Sequence, residues 1–509
     1  MALTLSLIST MALACPASAQ SIDHDRVPQL FAATLNAPLV AASSEDASIR
    51  KRLVEIDIDQ LTTATEYLSL NLFADIELVA KFDRLEQAYG GGTVWVGSII
   101  GSEAESAIFS VMGNAVAGSI TWDGQLCQVD FGGNGTHWIN LVDTAAMPRC
   151  GTDASHAVTS APGESQVNGA GGRAGNPDID VMVVYSTAAK NAVGGTNAMQ
   201  SRINLAITES NSAYNFSGVT QELVLVHTEE MIGYTEPSSF SQILTDLRTT
   251  NDGDMDNVHA LRDQYAADCV SMICRNGQYC GIAYLMTNPS PGFQSSAFSV
   301  CNYSCMTGYY SFSHELGHNM GSNHDPQNAS SGAYSYSFGY RTSNNAYRTV
   351  MAYSPGTRVM RFSGPSVTYG GYTMGNSSQD NARSLNNTAP IVADWRDGGT
   401  GGGPGGPTMN VPTLTAGQYA IFSMDDCTPN SVAYIYYSTT GGVGPTSTAY
   451  GMADLTAPLS TLPFLNVDNN GYGSVAVRVP SRGAGVTAWF QGVDVSTAEW
   501  SSSYQTTVQ

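Results

Sequence analysis

One segment limits what the whole chain can become: Ser313-His-Glu-Leu-Gly-His-Asn-Met-Gly-Ser-Asn-His-Asp325. On a helix, His314 and His318 are four residues apart and stand one above the other, so both imidazoles reach a single ion. Phe312, Leu316 and Met320 repeat at the same spacing on the opposite side and give the helix a core to lie against. Glu315 lies about 100 degrees round from His314, near the ion without being a ligand to it. Gly321 permits a left-handed turn that ends the helix, so that His324 swings back as a third ligand.

Three neutral nitrogen ligands leave a fourth position open, which in zinc chemistry marks a catalytic site. Zinc there acidifies water and polarises a peptide carbonyl, while Glu315 takes the proton and passes it to the leaving amine. The competing reading, a solvated helix with scattered histidines, does not account for Glu, Gly and three His standing together at these spacings.

The segment resembles the metzincin metallopeptidase signature H-E-x-x-H-x-x-G-x-x-H, and Asp325 after the third histidine makes it most similar to the reprolysin (adamalysin) branch. Arg348-Thr-Val-Met-Ala-Tyr353 looks like the Met-turn of that family, which implies Met351 as an apolar floor beneath the ligands. Tyr353 matches a position where astacins and serralysins carry a tyrosine near zinc. It is carried here as a hydrogen-bond donor to the transition state, against a packing role. Cys280-Gly-Ile-Ala-Tyr-Leu-Met286 is similar to the family's edge strand, which implies that Gly281, Ile282, Ala283 and Tyr284 take an extended peptide; an ordinary strand is the alternative. Arg358 and Arg361 follow the Met-turn, where a metzincin builds its S1' pocket. Either attracts an acidic substrate side chain, or Arg361 serves as a structural ion-pair partner. The similarity covers roughly 178 to 396, with a texture closest to bacterial reprolysin-like enzymes, including peptidyl-Asp metalloendopeptidases. Neither an EF-hand loop nor a glycine-aspartate nonapeptide repeat is found, so the calcium-loaded roll of serralysins is not expected, and Ca2+ elsewhere stays open. His227 and His259 have no ligand spacing around them and read as structural.

With zinc in view, Pro148-Arg-Cys-Gly-Thr-Asp153 takes on meaning. It resembles the cysteine switch of matrix metalloproteinase propeptides, with one proline of that pattern missing. A thiolate fills zinc's fourth position and displaces water. The resemblance implies that Cys150 is a ligand in the latent form only, with Arg149 and Asp153 fixing the peptide by an ion pair or hydrogen bonds. A disulfide between Cys150 and Cys127 is the competing reading. In the catalytic domain Cys280 with Cys305 is the preferred bridge, since it would tie the edge strand to the start of the active-site helix; connectivity is not fixed by sequence, and the remaining pairings stay open.

The flanks are organised by composition. The chain has 509 residues, too many for one ordinary core. Residues 1–19 are apolar and end in Ala17-Ser18-Ala19, which reads as a signal peptide lacking a basic start, with lipid attachment at Cys15 as the alternative. Residues 20–175 read as a β-rich propeptide of short alternating runs (Thr93 to Ile99, Ala107 to Val111, His137 to Val142), ending in a Gly, Ala and Ser-rich linker from 151 around Arg173. Residues 176–397 alternate strands and helices, a mixed α/β domain. A glycine-proline tether at 398–408 leads to a C-terminal β-sandwich at 409–509.

The expected molecule is a secreted zinc endopeptidase made as a zymogen, whether released, periplasmic or held at a surface, acting on proteins or peptides and inhibited by its own propeptide. The alternative is a non-catalytic adhesion or binding protein on a metzincin scaffold. A net charge of -22 argues against a nucleic-acid partner, and no later run of about 20 apolar residues spans a membrane. The C-terminal module is expected to bind a surface or serve secretion. Nine cysteines suit an oxidising compartment.

Overall fold

The computed structural model describes residues 27–33, 47–102, 105–158, 177–396 and 407–509, the last without 426, 429, 443–445, 469–470 and 502. The expected leader with Cys15, the stretch around Arg173, and 398–406 of the tether lie outside the described residues.

The N-terminal part is one nine-stranded antiparallel sheet, running as a meander from Tyr67–Phe73 to Thr136–Val142, beside which Ser48–Ile56 and Phe31–Ala33 add on. It curls nearly into a barrel: Leu30 donates its amide to Ser69 O at 3.0 Å and Ser69 to Pro28 O at 2.9 Å, joining the two ends. Strand alternation sorts the side chains into two faces. Trp95, Ala107, Phe109 and Val116 fill the sheet's own core. Their neighbours Val94, Val96, Ile108, Ala115 and Ala117 point the other way, into the core of the following unit.

That unit carries a five-stranded sheet in the order Glu222–Met231, Asp178–Ser186, Cys269–Cys274, Phe298–Asn302, Gly281–Ala283. The first four strands are parallel, and the last is an antiparallel edge. Alternation again divides the load. Ile179, Val181 and Val183 meet the side of the helices Thr196–Ser217 and Ser311–Asn319, whereas Met182 and Val184 meet that of Phe240–Arg248 and Asn257–Gln264. This is the mixed α/β architecture expected from the alternating pattern.

Two expectations need correction. The strand expected over Gly281 to Met286 is two: Gly281–Ala283 pairs with Val300 and its neighbours, but the partner strand begins at Phe298, so Leu285–Met286 pairs in parallel with Ala157–Val158. For the same reason, residues 151 to 158 are not exposed linker. Thr152 is buried, and the segment is hydrogen-bonded along the catalytic unit.

The C-terminal part consists of small β sheets sharing an apolar cluster that includes Phe422, Met424, Ile435 and Phe490. Among the described residues no helix is long and apolar enough to cross a membrane.

Candidate metal centre and its cleft

Every residue of the helix Ser311–Asn319 is buried, with Phe312, Leu316 and Met320 in the main core as their spacing requires. His314 Nδ1 donates to Val350 O at 2.8 Å and His318 Nδ1 to Ser322 O at 3.0 Å. A carbonyl only accepts, so both rings carry their proton on Nδ1 and turn the Nε2 lone pair inward. Gly321, at φ 88°, reverses the chain where a Cβ would come within 2.4 Å of Ala333 Cβ. His324 is thereby returned to the helix, and the three Nε2 atoms stand 3.1 to 3.2 Å apart. Cys150 completes the group, its Sγ 3.6 Å from His318 Nε2.

The donor set fits zinc. Zn–N near 2.0–2.1 Å and Zn–S near 2.3 Å in a tetrahedron separate two nitrogens by about 3.3 Å and sulfur from nitrogen by about 3.6 Å. Electrostatics ask for the same thing. Burial holds His314 and His324 well below the usual imidazole value and His318 down at about 3, so all three are neutral. Burial also pushes Glu315 up to about 8 and raises the Cys150 thiol, which lies 3.4 Å from a Glu315 oxygen. Converging lone pairs with no positive charge among them are matched by a divalent cation, which draws thiol and carboxyl back to their charged forms.

The Met-turn braces this centre. Met351 is fully buried, and Gly317 lies so close that a Cβ there would be 2.7 Å from Met351 Sδ. Asp325 ties the third histidine to that turn: it accepts from Tyr353 N at 3.1 Å and from Arg341 at 2.7 Å. The Tyr353 ring packs on His324 at 3.9 Å between centroids, and its hydroxyl donates to Cys150 O at 2.8 Å.

The edge strand is occupied by the Cys150 segment. Cys280 donates to Arg149 O at 3.1 Å, Gly151 to Gly281 O at 2.8 Å, and Ala283 to Thr152 Oγ1 at 2.9 Å. Ile282 lies inside the strand, and Tyr284 follows it with its amide on Phe298 O at 3.3 Å. Arg149 and Asp153, expected to fix the peptide by an ion pair or hydrogen bonds, use their side chains differently. Arg149 sits over the Tyr353 ring at 5.9 Å, and Asp153 caps its own turn through Ser155 N at 2.8 Å and His156 at 3.0 Å. The Cys280–Cys305 disulfide is present as expected, with Cα atoms 5.4 Å apart. Cys127 and Cys150 are both free, and Cys127 is sealed in the N-terminal core.

A model of metallo-peptidase family M12, of the reprolysin type, matches residues 176–363. A peptidyl-Asp metalloendopeptidase from Xanthomonas campestris pv. campestris is 34% identical over 385 residues, spanning 71% of this chain and 86% of that one. The chain belongs to the M12 metallopeptidases. A second relative of the same description, from Stenotrophomonas maltophilia, is 34% identical over 367 residues, 67% of this chain and 86% of its own. As an M12 member the chain is a metalloendopeptidase, and Cys150 with its three histidines is the grouping of a cysteine switch.

Within this M12 peptidase the two candidate pocket arginines part company. Arg358 donates to Tyr309 O at 3.0 Å, lies 4.4 Å over the Tyr309 ring, and borders a cavity with Tyr310, Met360 and Leu126. Its charge is felt by His314, Glu315 and His324. Among the described residues it has no carboxylate partner. Arg361 is stacked 4.1 Å over Phe216 and, among the described residues, makes no ion pair. His227 stacks on Tyr265 at 3.9 Å and His259 bonds Thr249 O at 3.2 Å, and neither belongs to the group formed by Cys150 and the three histidines. Sequence reasoning missed Arg348, whose guanidinium binds Ala352 O at 2.6 Å and Gly356 O at 2.8 Å and so holds the Met-turn. The signal was there: an arginine opening an otherwise apolar turn.

Proposed function

We propose that this is a secreted zinc endopeptidase made in latent form, with the N-terminal segment as inhibitory propeptide, and that it cleaves proteins beside acidic residues. The observation that carries the reading is the convergence of Cys150 Sγ with Nε2 of His314, His318 and His324. Zinc in that cage supplies Lewis-acid polarisation of a peptide carbonyl and acidification of water. Glu315, buried beside the position Cys150 fills, is the group that accepts a proton and returns it to the leaving amine. Tyr353, whose hydroxyl holds a peptide carbonyl in the latent chain, donates to a substrate carbonyl once Cys150 has left. The strand Gly281–Ala283 then offers its edge to an extended substrate. Residues 1–19 support export.

Acid preference rests on the description of both relatives as peptidyl-Asp enzymes and on the unpaired guanidinium of Arg358 beside the centre. The test uses the chain freed of its N-terminal segment. Casein hydrolysis is expected, abolished by a chelator and by Glu315→Ala, and no hydrolysis by the unchanged form overturns the reading. A peptide library then shows Asp or Glu enriched beside the cleaved bond, with that enrichment lost in Arg358→Ala. Enrichment that survives removes Arg358 from the role.

A further inference from the structure

The Cys150 segment is the smaller part of what joins the two units. The outer face of the N-terminal sheet shares one apolar core with the helix Thr196–Ser217: Val94, Val96, Ile108 and Ala117 meet Ile203 and Ala206. Around that core the helix makes polar contacts that only a matching surface satisfies. Ser201 accepts from Ala117 N at 2.9 Å and donates to Ser110 O at 2.7 Å. Asn204 donates to Tyr89 O at 3.1 Å and Thr208 to Glu86 at 2.7 Å. Arg202 pairs with Asp130, and Glu209 accepts from Ser119 Oγ at 2.5 Å, in addition to the 2.9 Å bond it takes from Gly308 N of its own unit. A second patch lies nearer the cleft, where Leu126, Val142 and Met147 pack on Tyr309 and on the disulfide cysteines Cys280 and Cys305.

None of these contacts passes through Cys150 or through residues 159–176. We propose that this sheet face is an inhibitory dock in its own right, which keeps the N-terminal segment on the enzyme after the chain is cut between 158 and 177, with or without the thiol. Separation would expose the shared apolar face to water, strip Ser201 and Thr208 of their partners and take Ser119 from Glu209. While the dock holds, residues 149–158 stay at the edge strand at an effective concentration of about millimolar. Loss of the thiol therefore opens the fourth metal position without clearing the cleft.

The test places a specific protease site between 158 and 177 of the full chain, in unchanged and Cys150→Ala forms, and follows both fragments by native size exclusion after cutting. Co-elution in both forms is expected, with Ala117→Arg or, should that variant not fold, Asp130→Ala together with Ser119→Ala releasing the N-terminal fragment from the Cys150→Ala form. Separation of the cut Cys150→Ala form overturns the dock, whether or not the unchanged form separates. Co-elution that survives the dock substitutions shows that some other surface holds the fragment, and also overturns it.

Discussion

Gly281 and Gly317 shape the centre as much as the histidines do. A Cβ on Gly281 would stand 2.4 Å from Glu315 Cγ and Oε1, and one on Gly317 would press on Met351. The histidine set was legible in the sequence because ligand spacing follows from one helix and one turn. The need for these glycines was not, because the obstacle each avoids belongs to a distant part of the chain. Gly317→Ala is expected to cost about 1–3 kcal/mol through overpacking against the Met-turn, read as a lower thermal midpoint with zinc bound. An unchanged midpoint would show that Met351 yields freely. For Glu315→Gln, which keeps the volume and removes the base, one zinc per chain should remain while kcat falls by about 10²–10⁴. Loss of zinc together with activity would instead make Glu315 part of the metal's binding.

At the scale of elements, the helix Thr196–Ser217 shows how far periodicity reaches. Met199, Ile203, Ala206, Ile207 and Ala213 announce a helix with an apolar face, and all are buried except Ile207, which packs half-buried against the same core. The pattern gave no warning that Ser201, Arg202, Asn204, Thr208 and Glu209 are buried too, since their cover comes from a sheet some hundred positions earlier. Burial pushes the Glu209 carboxyl up to about 7, against the lowering pull of Ser119, Gly308 N and Arg202. Tyr310 is the other titratable group it influences. The docked state therefore binds a proton that a solvated carboxyl, near pH 4.3, gives up. Docking is fully favoured below about pH 4.3 and loses this contribution as pH rises through about 7. In the cut Cys150→Ala form, dissociation should rise by about two orders of magnitude across that window, and Glu209→Gln should flatten the curve. A flat profile with Glu209 intact would show that its proton is not coupled to docking.

For the whole molecule, the order of parts was readable from changes of texture: short alternating runs, then alternating strands and helices, then short strands again. What could not be read was that the segment around Cys150 continues past Gly151 as a strand partner, because its glycine and alanine content looks like linker while its hydrogen bonds come from the edge strand. The thiol lock proposed for the latent form is distinct from the dock, and it comes down to which atoms surround one metal ion. X-ray absorption at the zinc edge of the uncut, zinc-loaded chain measures that directly. The account predicts one sulfur at about 2.3 Å with three nitrogens at about 2.0 Å, and a sulfur shell that disappears in Cys150→Ala. A shell of nitrogen and oxygen alone in the unchanged chain would contradict it, and Cys150 would then be a buried thiol beside the metal and not its ligand.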